Sequence, residues 1–173
     1  IDISGLSPAG AHIRNAAKTT SGAVSFIDLY AIVTKLIGQK GRRGAMMISL
    51  DCTHPDLPEF IKLKTDLNKS TSANLSIRVN KDFMDAVKYN GEWTMSFTRK
   101  ETGETVSHTM KARDILHLFA ETNWRTGEPG ILFWDNIESY NMLQYVPDFH
   151  YAGVNPCAEE PLPAAGSCLL GSV

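Results

Sequence analysis

The sequence predicts an α/β domain with mainly parallel strands, and three observations carry that expectation. Residues 45–51 (AMMISLD), 74–80 (NLSIRVN) and 130–136 (GILFWDN) are apolar or alternating runs of strand length. Between them lie segments whose apolar residues recur at helical spacing. Helices that carry the chain back between strands lay those strands down in one direction. The 173 residues, 43% hydrophobic and 21% charged, suit one globular domain or a piece of a larger one, with enough chain for a sizeable core.

Taken in order, the opening residues IDISG read as extended chain. Ser21 is expected to cap a helix reaching about Ile37. Val24, Phe26, Ile27, Leu29, Tyr30, Ile32, Val33, Leu36 and Ile37 surround that helix, so burial on several sides is expected. Gly38 ends it, and GQKGRRG (38–44) is a basic glycine-rich loop. After the first strand, Pro55 and Pro58 open a short helix bearing Leu57, Phe60 and Ile61. Asn80 follows the second strand and caps a helix with Phe83, Met84 and Val87 on one side. EWTMSFTR (92–99) and ETVSHTMK (104–111) flank a Thr-Gly turn and read as a hairpin. Residues 112–124 carry Ala112, Ile115, Leu116 and Phe119 at helical spacing, with His117 expected in the core. After the third strand comes an irregular stretch, 143–156. Trp93, Trp124 and Trp134 read as packing residues.

A net charge of −2 argues against a general electrostatic grip on nucleic acid. No apolar run approaches the roughly 18–20 residues of a membrane span, and no signal peptide is evident. Three cysteines are too few and too odd for a disulfide framework, so a reducing cytoplasm is the expected setting. The strand-like start and the apolar finish, SCLLGSV, suggest an internal segment of a longer polypeptide.

The motif NPCAEEP (155–161) holds the most chemistry. In extended chain, Asn155, Cys157 and Glu159 share one face, and Pro156 biases its predecessor towards extension. An amide, a thiol and a carboxylate so gathered suit a hydroxyl-rich ligand, with Glu159 as base and Cys157 as reactive centre. A turn with one buried cysteine and an exposed glutamate fits the same pattern. Cys168, eleven positions on, is either half of a redox pair or a small core residue. Lys40, Arg42 and Arg43 can present donors to a phosphate or a base edge, or form a solvated basic turn. Cys52 and His54 lack a second ligand pair, so no metal is expected. His150 with Cys157 leaves a cysteine hydrolase open in principle.

These residues carry a resemblance to the catalytic subunit of ribonucleotide reductase. NPCAEEPLPAAGSCLLGSV is similar to the family's finger-loop motif. GQKGRRGAMMISLDCTHPDLPEFIKLK, TSGAVSFIDLY, ANLSIRVNKDFMDAV and RTGEPGILFWDN resemble further blocks in the family's order. The resemblance implies part of a ten-stranded α/β barrel over residues 1–173, with effector loops at about 6–44 and the finger loop at about 150–162. It implies thiyl-radical reduction of ribonucleotides to deoxyribonucleotides. By position, Cys157 is the radical thiol that takes the ribose 3′ hydrogen, Glu159 takes the 3′-hydroxyl proton, and Asn155 hydrogen-bonds the ribose. Cys168 is one redox thiol, its partner outside this chain, reset by thioredoxin or glutaredoxin.

Pro156 and the short interval to Cys168 resemble the adenosylcobalamin-dependent branch. LSPAGAHIRNAAKT (6–19) resembles the first loop of the family's specificity site, where a deoxynucleotide or ATP effector binds. Arg14 and Asn15 fall near the expected effector contacts. Residues 38–44 resemble the second loop, with Gln39 and Arg42 sensing the substrate base and Arg43 standing where other classes often carry proline. A homodimer of the full-length form is compatible with the resemblance. The alternative function is a nucleotide-binding regulatory module without catalysis.

Overall fold

The computed structural model describes residues 1–37, 44–66, 72–169 and 171. A 3-10 turn (Val24–Phe26) leads into α1 (Ile27–Leu36), and the first strand, β1, is Met47–Asp51. Pro58 lies in the first turn of α2 (Leu57–Lys62), where its missing N–H costs no helical bond. β2 is Asn74–Val79 and α3 is Lys81–Lys88. Asn80 caps α3 as expected, its Oδ1 accepting from the Phe83 N–H at 2.8 Å. The expected hairpin forms from β3 (Glu92–Thr98) and β4 (Thr105–Lys111), paired antiparallel in unbroken register. α4 (Ala112–Thr126) ends at Gly127, whose φ of 76° is left-handed. β5 (Gly130–Phe133), α5 (Trp134–Ser139), β6 (Tyr151–Val154) and β7 (Pro161–Pro163) complete the order.

β1, β2 and β5 form one parallel sheet in that order. Its residues alternate between two faces, as the pleat requires. Ile48, Leu50, Leu75, Ile77 and Val79 point into the main core with Ile27, Phe60, Ile61, Phe83 and Ile115 from the helices. Met47 and Leu132 face the other way and pack with Trp134 and Val154, which brings the β6–β7 hairpin onto that second face. Both faces are therefore covered, as parallel sheets need. Residues 1–3 run parallel beside β1, with the Ile3 N–H donating to the Ser49 carbonyl at 3.0 Å.

Several expectations need correction. Ser21 does not cap a helix; its hydroxyl meets that of Ser25 at 2.8 Å. α1 buries only Ile27, Ala31 and Thr34, and Leu29, Ile32 and Leu36 are exposed. A helix apolar all round has one buried stripe here because the sheet reaches only one side. GILFWDN is a strand only to Phe133, since Trp134 opens α5. The stretch after residue 143 is not wholly irregular but contains β6. His117 is exposed, as is Trp124 at 83%; both lie on the solvent side of α4. The ten-stranded barrel is expected only in part. Among the described residues the strands form one parallel sheet and two hairpins, and they do not close. No described helix is long and apolar enough to cross a membrane.

Candidate functional site

The β6–β7 hairpin turns through residues 155–160, so the predicted motif lies at its tip. The tip is a closed turn and not extended chain. The Asn155 N–H donates to the Glu160 carbonyl at 3.1 Å, and the Ala158 N–H donates to the Asn155 carbonyl at 3.0 Å. Ala158 takes the left-handed φ of 68° that this reversal demands. Pro156 can bias Asn155 but cannot hold six residues straight against those bonds.

The turn decides where each side chain goes. Asn155 is only 8% exposed, and its Oδ1 accepts from the Glu160 N–H at 3.0 Å. An oxygen must face that donor, which leaves the Nδ2 end of the amide to donate elsewhere. Cys157 and Glu159 are exposed. The cysteine is thus not buried, and the three side chains do not share a single exposed face. The tip is also fixed to the sheet. Asn74, the first residue of β2, donates from Nδ2 to the Pro156 carbonyl at 2.8 Å.

Cys168 returns to this tip. A turn after β7, closed by the Gly166 N–H on the Pro163 carbonyl at 3.0 Å, reverses the chain. The Cys168 thiol then donates to Glu160 Oε2 at 2.6 Å. That hydrogen bond is the main reason its pKa is pushed up to about 11; a small loss of solvent around the sulfur comes next, then the charges of Glu160, Glu159 and Cys157. Cys168 is therefore not a core residue. His150 precedes β6, and the four residues of that strand place it roughly 13 Å down the hairpin from the tip. That separation disfavours a Cys157–His150 hydrolase pair.

The loop over residues 6–19 is held by groups that no motif announces. Asp56, just before α2, is buried and accepts from the N–H groups of Ala9 (2.9 Å), near the start of the loop, and Ala23 (2.9 Å), just beyond its end. Gly22, at φ 92°, passes so close that a Cβ there lies 2.6 Å from Asp56 Oδ2. Glu104, beside the β3–β4 turn, accepts from the His12 N–H at 3.0 Å. Arg14 and Asn15 are exposed at the loop's outer end, where Asn15 Oδ1 accepts from the Ala17 N–H at 3.0 Å. Gln39 and Arg42 lie outside the described residues. The carboxylate clamp was invisible in the sequence because Asp56 lies 47 positions from Ala9. Its one local signal was the lone acid between Pro55 and Pro58.

Cys52 and His54 do not make a metal centre. The His54 ring is satisfied, Nε2 against the Leu6 carbonyl at 2.9 Å and Nδ1 accepting from the Asp56 N–H at 3.1 Å. Cys52 is fully buried, and burial, aided by the Asp51 charge, pushes its thiol up to about 12. Among the described residues no three His, Cys, Asp or Glu side chains cluster to hold a metal. A cavity of about 300 Å³ opens where β2 and β5 end, lined by Asn80, Lys81, Phe133, Asp135 and Asn136 among others. No motif in the sequence announces it.

The family model described as ribonucleotide reductase, barrel domain, matches residues 1–173. A vitamin B12-dependent ribonucleoside-diphosphate reductase of Thermoplasma acidophilum is 37% identical over 155 residues, covering 88% of this chain and 20% of that protein. One from Mycobacterium tuberculosis (strain CDC 1551 / Oshkosh) is 35% identical over 171 residues, covering 97% of this chain and 24% of that protein. A vitamin B12-dependent ribonucleotide reductase of Rhodopirellula baltica is 30% identical over 181 residues, 90% of this chain and 17% of its own length. The chain thus spans a quarter or less of these curated relatives. With every residue inside the matched span, this chain belongs to the ribonucleotide reductase family, as a part of its barrel domain.

Proposed function

We propose that the full-length protein carrying this chain reduces ribonucleotides to deoxyribonucleotides by thiyl-radical chemistry. The observation that supports the reading best is the hairpin tip, which brings Asn155, Cys157, Glu159 and the returning Cys168 to one end of one structural unit. In this reading residues 150–162 are the finger loop of a barrel completed by chain beyond these residues. Residues 6–44 contribute the effector loops.

Each side chain has a task that its chemistry allows. The exposed Cys157 thiol gives up its hydrogen and, as a radical, takes the 3′ hydrogen of the ribose. Glu159 accepts the 3′-hydroxyl proton. Asn155, its Oδ1 committed to the Glu160 N–H, donates from Nδ2 to a ribose oxygen. Cys168 and a second thiol outside this chain supply the two reducing equivalents and become a disulfide, which thioredoxin or glutaredoxin resets. Removing hydrogen from an unactivated carbon lies beyond acid–base work and needs a radical source. The relatives' names point to cobalamin, and an exposed thiol at a loop tip fits a radical generated beside it. Bound adenosylcobalamin supplies that radical, while the protein positions the reacting groups and shields them from solvent.

A deoxynucleotide or ATP effector is assigned to the loop clamped by Asp56, with Arg14 and Asn15 at its outer end and Gln39 and Arg42 on the second loop. A homodimer in the cytoplasm completes the proposal. The test is to assay the full-length protein with ribonucleoside di- and triphosphates, with and without adenosylcobalamin. Deoxyribonucleotide formation dependent on the cofactor is expected. No product with either substrate class in its presence refutes the reading.

A further inference from the structure

Glu160 takes no part in the chemistry proposed above, yet it touches both ends of the site. Its backbone is fixed twice by Asn155: the N–H donates to Asn155 Oδ1 at 3.0 Å, and the carbonyl accepts from the Asn155 N–H at 3.1 Å. Its side chain accepts from the Cys168 thiol at 2.6 Å, across eight positions of chain. Among the described residues Cys168 is exposed, and this hydrogen bond, not packing by those residues, is what holds its sulfur. We infer that Glu160 is a positioning residue for Cys168, its carboxylate seating that sulfur against the hairpin tip.

The purpose of this contact rests on the reductase reading; its existence does not. In that reaction one ribonucleotide and two thiols give one deoxyribonucleotide, one disulfide and one water. Two S–H bonds and the 2′ C–O bond break, and the S–S bond forms; the substrate's 2′ oxygen leaves in the water and a hydrogen takes its place. Cys168 must therefore carry its hydrogen when substrate arrives, and an ionised sulfur lacks it. An exposed thiolate is also the form that oxidants and electrophiles attack. A carboxylate accepting from the thiol opposes ionisation by hydrogen bonding and by like charge, and the thiol is accordingly held near 11 against an ordinary 9.0.

The test monitors alkylation of Cys168 by iodoacetamide in the reduced, substrate-free full-length protein. Peptide mass spectrometry resolves it from Cys157. In the unmodified protein the Cys168 rate should still be climbing with pH at about pH 10. Glu160→Gln should bring the profile to a plateau near the ordinary thiol value. At about pH 8 the thiolate fraction then rises ~100-fold and the lower basicity takes back about tenfold, for a net gain of about tenfold. Glu159→Gln should shift the profile less. An ordinary thiol profile in the unmodified protein overturns the inference without any variant. So does a larger shift from Glu159→Gln than from Glu160→Gln. None of these measurements needs turnover, so failure of the reductase reading and failure of this contact are told apart.

Discussion

Two cysteines of this chain resist ionisation for opposite reasons. Cys52 lies beneath the β3–β4 hairpin, fully buried, with its carbonyl accepting from Trp93 Nε1 at 2.7 Å, and burial is what keeps its proton on. Cys168 lies in the open beside the 155–160 tip, and one carboxylate does the same work. Equal directions of shift thus conceal unequal chemistry. A thiol sealed by packing is a structural atom, whereas one restrained by a hydrogen bond can react as soon as the bond is let go. The difference extends to the regions around them. The core region is specified by packing and should answer mutation with stability; the tip is specified by a few hydrogen bonds and should answer with activity.

The largest effect expected is at the tip. Cys157→Ser in the full-length protein should abolish nucleotide reduction. Its thermal unfolding should stay within about 0.5 kcal/mol of the parent's, as surface changes do. Substantial turnover by that variant refutes the radical role. Cys168→Ser should permit at most about one turnover with thioredoxin as reductant, and sustained thioredoxin-driven cycling counts against its redox assignment. In the core, Phe60→Ala should cost about 3–5 kcal/mol of stability, because Phe60 is fully buried between α2 and the sheet. Chemical denaturation measures it. A cost below about 1 kcal/mol would erase the contrast between the two regions.

How far the sequence foretold each region follows the same division. The three parallel strands, the Asn80 cap and the β3–β4 hairpin were legible because periodicity and capping are local signals. The exposed side of α1 was misread because periodicity cannot tell which neighbours are present. At the tip, the resemblance directed attention to residues 155–161, but their local shape was misjudged. Extension at Pro156 is a weak preference, and the bonds between Asn155 and Glu160 overrule it. Glu160 itself escaped notice, since its partner Cys168 comes near only after the chain reverses beyond β7. The clamp of Asp56 on Ala9 and Ala23 was hidden for a similar reason, being made between distant segments.

The smallest effect is the one that isolates burial at Cys52. Its folded pKa is about 12 and its ordinary value 9.0, so below about pH 9 the thiol is protonated in both folded and unfolded chains and its contribution is fully present. Between those values the unfolded chain loses the proton while the folded one keeps it. The folded state then binds more protons, and stability falls as pH rises, by at most ~1.4 kcal/mol per pH unit from this group. Cys52→Ala removes the titration and leaves a small cavity. Its stability deficit against the parent should therefore be constant up to about pH 9 and shrink above it. Every other titrating group is common to both proteins and cancels in the difference. Urea unfolding of the two full-length proteins from about pH 7 to about pH 10 measures that difference directly. A deficit that stays constant across the range means the Cys52 thiol ionises as easily inside the fold as outside it, and the contrast drawn between the two cysteines then fails on its buried side.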